Sequence, residues 1–201
     1  MSQAAERERS YPLRLWPKDL GVALVVLLAL GLGLLLRSQV EGATREFRDP
    51  DSPFRISYPA SWTGAESPED ALLRVEDPRT DSAFKTTLTV ESRLLDPAAP
   101  PTLQILVDRR IAEQGALTAY RLLSNGDATI AGARAAQIEY GYVVQPIDAP
   151  RRASLPVVVQ AREYVVVARD RVYYIAVAAP QHEYEDAQAR FERIIAGVQV
   201  Q

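Results

Sequence analysis

The chain has 201 residues, with 23 Lys or Arg against 26 Asp or Glu, one His, no Cys and a net charge of -3. The missing cysteines remove thiol catalysis, thiolate metal sites, thioether haem and disulfides, and the balanced charge excludes a nucleic-acid binder, which needs a concentrated basic surface. From Phe47 onward 17 basic residues face 21 acidic ones, and the cations are arginine throughout the chain except at Lys18 and Lys85.

Near the N-terminus the run from Leu20 to Leu36 (LGVALVVLLALGLGLLL) is bracketed by Lys18-Asp19 and Arg37. At ~1.5 Å per residue it reaches roughly 25 Å, enough to cross ~30 Å of hydrocarbon when its flanking side chains snorkel. The expected organisation is a cytoplasmic tail over 1–18, a single transmembrane helix over 19–37, a polar linker over 38–53 and one extracytoplasmic domain over 54–201. The linker reading rests on Gly42, the Asp49-Pro50-Asp51-Ser52-Pro53 cluster and the lack of apolar periodicity between them. A cleaved secretory signal is the alternative, but Val40 with Gly42, or Gly42 with Thr44, makes a poor cleavage site. Arg7, Arg9, Arg14 and Lys18 before the apolar run outweigh Arg37, Arg45 and Arg48 after it. That bias puts the N-terminus in the cytoplasm and the domain outside it, at the cell membrane. Within the run, Ala29 and Gly33 lie one turn apart with Gly31 between them, a small-residue face on which another helix can dock.

In the domain, Phe54, Ile56 and Tyr58 alternate with Arg55 and Ser57, a half-buried strand that Pro59 ends. Leu72–Glu76 and Phe84–Leu94 repeat the signal, the second with β-branched Thr86, Thr87, Thr89 and Val90. After Pro100-Pro101 the period changes. Thr102 caps a helix with Leu103, Leu106, Val107 and Ile111 on one face, and Gly115 stops it. Strands follow at 120–124, 128–130 and 135–144, with Ala131-Gly132 as a hairpin turn. Another pair, 157–168 and 172–179, brackets Arg169-Asp170-Arg171. Finally Tyr184, Ala187, Phe191, Ile194, Ile195 and Val198 recur at helical spacing behind acidic residues that suit a helix start. Two amphipathic helices covering a mostly antiparallel sheet make an α+β fold, an α/β/α sandwich. Tyr140, Tyr142, Tyr164, Tyr173, Tyr174 and Tyr184 are expected partly on outward strand positions, where tyrosine serves binding or packing.

The order of these elements, with FRISYPASW and its Trp62, TLQILVDRRI, TIAGARAAQIEY, and REYVVVARDRVYYIAVAAP leading to FERIIAGVQV, resembles the PsbP/Mog-like fold family over about residues 54–200. The family joins extrinsic photosystem subunits to bacterial membrane-anchored domains. The resemblance implies the sandwich and a non-catalytic accessory role. The apolar helix departs from the soluble photosystem subunit, so that subunit's partner does not carry over.

Chemistry-bearing groups are sparse. His182 beside Glu183, Glu185 and Asp186 is a candidate metal group, His182, Glu183 and Asp186 being the ligands to test; the competing reading is a solvated helix start. Glu76, Asp77 and Asp81 around Pro78 offer a calcium-binding turn or a plain solvated one. No GxSxG, HExxH or phosphate loop is present, and one histidine limits general-base chemistry, so no enzyme and no cofactor is expected. The loop 145–156, with Pro150, Arg151 and Arg152, is the expected docking element. The function expected is a non-catalytic subunit that stabilises or helps assemble an integral membrane protein complex, photosynthetic or respiratory. It would have the lipid bilayer as second partner and no small-molecule ligand. The alternative is a free-standing cell-surface module binding a ligand or a divalent metal.

Overall fold

The computed structural model describes residues 17–66, 71–145 and 155–200, and within its first helix the side chains of 21–33. It divides into two compact units after Gly42. The first is helix α1, Pro17–Gly42, which opens on a proline where its missing N–H costs nothing. Residues 21–33 are apolar on every side and exposed. Ala29 and Gly33 are both open, and a Cβ on Gly31 or Gly33 would meet nothing within 4 Å. Among the described residues no helix is long and apolar enough to cross a membrane; the stretch with described side chains is shorter than the ~20 residues a crossing takes.

The expected linker is the first correction. α1 runs to Gly42, and after Ala43 alone strand β1, Thr44–Arg48, begins and pairs antiparallel with β2, Arg55–Pro59. Only Phe47 of β1, opposite Ile56, packs against the core, so the strand shows no alternation in sequence. The Asp49–Pro53 cluster is the turn between the two strands. Asp49 Oδ1 accepts from the Asp51 N–H at 3.0 Å and Ser52 Oγ from the Phe54 N–H at 3.2 Å, the local bonds that make Asp and Ser turn residues.

The main sheet has seven strands: β3 (Thr63–Gly64), β4 (Ala71–Glu76), β5 (Thr87–Leu94), β6 (Arg121–Ile130), β7 (Ala133–Val144), β8 (Val157–Ala168) and β9 (Arg171–Pro180). They lie in the order β3-β4-β5-β9-β8-β7-β6, each pair antiparallel. The two short strands expected at 120–124 and 128–130 are one. Polar Ser124-Asn125-Gly126-Asp127 hides the alternation, while the ladder to β7 continues through it with an irregularity between Leu122 and Ser124. β5 starts at Thr87, leaving Phe84 in the preceding turn. Ala131 and Gly132, both at positive φ, turn β6 into β7, the backbone that a two-residue hairpin demands.

Helix α2, Leu103–Gln114, is capped by Thr102, whose Oγ1 accepts from the Ile105 N–H at 3.3 Å, and ends at Gly115. Helix α3, Tyr184–Ala196, follows a 3-10 turn at Gln181–Glu183. The helices cover opposite faces of the sheet. Along β9, Tyr173, Ile175 and Val177 pack with α3's Tyr184, Ala187, Phe191 and Ile194, while Val172, Tyr174 and Ala178 pack with α2's Leu106 and Val107. With both faces covered, either parity points inward. Tyr140, Tyr164, Tyr173, Tyr174 and Tyr184 are therefore all buried and Tyr142 partly so, which corrects the expected outward tyrosines. Trp62 is buried against the α3 side.

Candidate functional site

The α3 side is an apolar core with its polar groups satisfied at the margin. Tyr173 stacks on Phe54 at 4.3 Å and donates to buried Asp49 at 2.8 Å, tying the β1–β2 turn to the sheet. Glu139 accepts from Arg162 at 2.9 Å, from the Tyr184 hydroxyl at 3.2 Å and from Ser124 at 3.2 Å. Burial works against its charge, but these donors outweigh it and hold the carboxyl below its ordinary range.

The α2 side differs. Glu163, in the middle of the apolar strand VVVQAREYVVVA, has no exposed surface. Its carboxylate meets Arg110 of α2 at 2.7 and 2.8 Å; Arg110 reaches Glu91 of β5 at 2.9 and 3.1 Å and lies 4.6 Å from the Tyr174 ring centre. Glu113 and Arg93 extend the group outward with a 2.7 Å pair. Burial pushes the Glu163 carboxyl up even though Arg110 pulls it down. Burial likewise opposes the Arg110 charge, yet Glu163 and Glu91 prevail and hold it protonated. A charge-paired pin this deep joins helix to sheet with little net stability of its own, because desolvation consumes most of the Coulomb gain.

Beside this pin the sheet floor becomes small. Tyr140 lies opposite Ala161, Ala161 opposite Ala178, and Ala178 opposite Thr87, so these residues share one face. Tyr120 and Tyr142 lean on Tyr140 at 5.5 and 5.9 Å between ring centres, and Phe84 meets Tyr142 edge-on at 6.4 Å. Burial, reinforced by Glu163, raises the Tyr120 and Tyr140 phenols. Tyr142 is pushed up to about 12, burial leading, with Arg74 opposing. Protonated phenols donate hydrogen bonds and do not attack. Two buried side-chain polar atoms among the described residues lack a hydrogen-bond partner: Tyr120 Oη and Arg74 Nε. Arg74, on β4 opposite Thr89, is close enough to act on the Tyr142 phenol.

Comparison with known proteins bears on the fold. No protein-family model matches the sequence, and no curated protein does. Among solved structures, the cyanobacterial PsbP protein CyanoP of Synechocystis matches at 11% identity over 79% of this chain and 93% of its own, with a TM-score of 0.56. LpqN of Mycobacterium tuberculosis, described as involved in cell envelope biogenesis, matches at 13% identity, 79% and 91% coverage, TM-score 0.56. A Pseudomonas aeruginosa protein of unknown function, described as a putative regulator, matches at 13% identity, 77% and 95% coverage, TM-score 0.50. The chain has the PsbP/Mog1-like fold.

In this PsbP/Mog1-like domain the residues singled out from sequence are scattered. His182 Nε2 is 3.3 Å from Glu183 Oε1, and its side chain is 69% exposed; Asp186 is exposed on α3. Among the described residues no three His, Asp or Glu side chains group closely enough to hold a metal ion. Asp77 is buried and engaged: Arg190 of α3 pairs with it, and the Arg79 N–H donates to it at 3.0 Å. Pro150, Arg151 and Arg152 lie outside the described residues. Sequence reading passed over Glu163, Arg110 and Arg74. The first had a signal, since a charge flanked on both sides by runs of valine is a buried charge in need of a partner.

Among the described residues the long free edge of the sheet is β6. Its residues 121–127 are exposed on both faces, Leu122 and Leu123 among them. A groove of about 280 Å³ lies between it and the first turn of α2, lined by Leu103, Gln104, Asn125, Asp127 and Arg134. The opposite edge strand, β3, has two residues.

Proposed function

We propose that this protein is a non-catalytic accessory subunit: α1 anchors it in the membrane, and the domain from Ala43 onward stands outside the cytoplasm against a larger membrane protein complex. The observation that carries the reading is α1 itself. Its residues 21–33 offer water no polar face, and the sequence run Leu20–Leu36 that contains them has the length and all-round apolarity of a membrane span rather than of a surface helix. With Ala43 alone between α1 and β1, the tether is short. Confinement at the membrane raises the effective concentration of the domain, so a modest docking surface suffices. The β6 edge, which no other strand among the described residues pairs with and which carries two exposed leucines, suits an extended segment of the host complex. The fold, shared with CyanoP and with an LpqN involved in cell envelope biogenesis, supports an envelope-associated role.

The test is purification of the tagged full-length protein from its native membrane in mild detergent, with mass spectrometry of what elutes at fixed ratio. A stoichiometric multi-subunit complex is the expected result; recovery of the protein alone overturns the reading. The competing metal-binding module predicts that calcium or manganese raises the Tm of residues 43–201, since a ligand that binds only the folded state must stabilise it. On the accessory-subunit reading Tm stays where it is.

A further inference from the structure

We infer that the β6 edge selects its partner by side-chain pattern: an extended strand of the host complex with two aliphatic residues and one basic residue at i, i+2 and i+4. The inference rests on the reading of β6 as the docking element. Opposite residues of a ladder share a face, so Leu122, Asn125 and Asp127, opposite Tyr140, Ile138 and Ala136, all look to the α2 side. Leu123 has no partner in that register and is the extra residue of a bulge. A strand laid along the edge in step with β7 therefore passes the three at every second position. At the first it meets exposed Leu122. At the second it stands over the groove of about 280 Å³ between β6 and α2, where half-buried Leu103 and buried Val107 and Ala136 invite an aliphatic side chain. At the third it faces Asp127, the one charge between Ser124 and Ile130. Arg134 reaches Asp127 at 3.5 Å, but the two side chains are 79% and 81% exposed, so the pair contributes little and leaves the carboxylate open to a second cation. Opposite charges across a ladder attract and like charges repel, so a basic residue is accepted there and an acidic one refused. A second copy of β6 does not meet the pattern, since its cation, Arg121, opposite Gly141, looks to the other face from Leu122 and Asp127.

In the test, full-length protein in mild detergent is titrated with the peptides TLTVTRT and TLTVTET and with the reversed sequences TRTVTLT and TETVTLT, while backbone hydrogen exchange over 124–130 is followed by mass spectrometry. Expected is saturable slowing of exchange there by one arginine peptide, the forward or the reversed one setting the strand direction, at a concentration roughly tenfold below that of its glutamate counterpart. Asp127→Lys, at an exposed site, should reverse that order. Asp in place of the peptide's central Val should abolish the slowing. Equal binding of arginine and glutamate peptides, or an order that Asp127→Lys leaves unchanged, overturns the charge pairing; indifference to the central Val overturns the groove; no slowing by any peptide overturns the edge as a strand site. Slowing that rises with protein concentration in the absence of peptide assigns the edge to a second copy and overturns the partner strand. The peptides contain nothing of the host complex, so their failure leaves the co-purification result standing, and loss of co-purification leaves the peptide preference standing.

Discussion

The two faces of the sheet bury side chains by different rules. Under α3 the core is aromatic and aliphatic, with Phe54, Ile56, Trp62, Phe191 and Ile194 interlocked, and its polar groups, Asp49 and Glu139, are met by donors. Under α2 the middle of the face belongs to the Glu163–Arg110 pair and to tyrosines, and among the described residues two buried donors, Tyr120 Oη and Arg74 Nε, go unmet. One face supplies stability; the other holds geometry at stability's expense. Groups that a protein keeps although a hydrophobic side chain would serve folding better are where function is sought.

The comparison is broken most forcibly by emptying the first face. Phe191→Ala removes a fully buried ring and should cost about 3–5 kcal/mol in urea unfolding of residues 43–201. Arg110→Met, on the second face, should cost a similar ~3–5 kcal/mol for a different reason, since it strands Glu163 as a buried unpaired charge. The reasons separate in the double variant: Arg110→Met with Glu163→Leu should recover most of the loss, whereas no second truncation rescues Phe191→Ala. If the double variant is no better than the single, the pin is not a cancelled charge pair.

pH sharpens the same contrast, because buried Glu163 and half-buried Glu139 shift in opposite directions from their ordinary value near 4.5. Glu163, raised, binds its proton more tightly folded than unfolded. Its contribution is present at low pH and lost as pH rises from the unfolded value through the raised one. Glu139, lowered, contributes above its unfolded value and loses that contribution as pH falls through the lowered one. Arg110→Met pushes Glu163 further up, so the variant's penalty should be greatest at neutral pH and shrink on acidification toward pH 4. Glu139→Gln should flatten the acid loss instead. Urea midpoints measured from pH 4 to pH 8 check both; a penalty for Arg110→Met that is constant with pH contradicts the buried-charge account.

A smaller effect tests the tie between the β1–β2 turn and the sheet. Tyr173→Phe leaves Asp49, 5% exposed, without its hydroxyl donor and should cost about 1–3 kcal/mol. Thr102→Ala, which removes a cap on a helix held mainly by its pin and its apolar face, should cost about 1 kcal/mol.

The sequence made some of this legible. Period and turn chemistry placed β7, β8, β9, α2 and α3, because each carries a long apolar stripe ended by a proline, a glycine or a two-residue turn. β1 was hidden because one inward phenylalanine makes no pattern, and β6 was split because an edge strand exposed on both faces has no reason to alternate. The site was hidden more deeply. Arg110 looks like any charge on a helix's polar side, and Arg74 like any outward strand residue, until register aligns β5, β9 and β8 beneath α2. Pairing across sheet neighbours distant in sequence is what local periodicity cannot carry.

The β6 edge offers the finest test of what each region is for, because there stability and function should part company entirely. Leu122 and Leu123 are exposed at 39% and 51%, so Leu122→Glu with Leu123→Glu should change unfolding free energy by no more than ~0.5 kcal/mol per site. Charged residues on an edge strand deter a further strand from pairing. If β6 is the docking element, the same double change should abolish co-purification from native membranes while the fold and membrane recovery stay intact. Unchanged co-purification would move the docking surface elsewhere on the domain without touching its anchor. Loss of both stability and co-purification would mean that the leucines pack against something in the folded chain, and the edge would then belong with the α3 face, among the surfaces that hold the protein together.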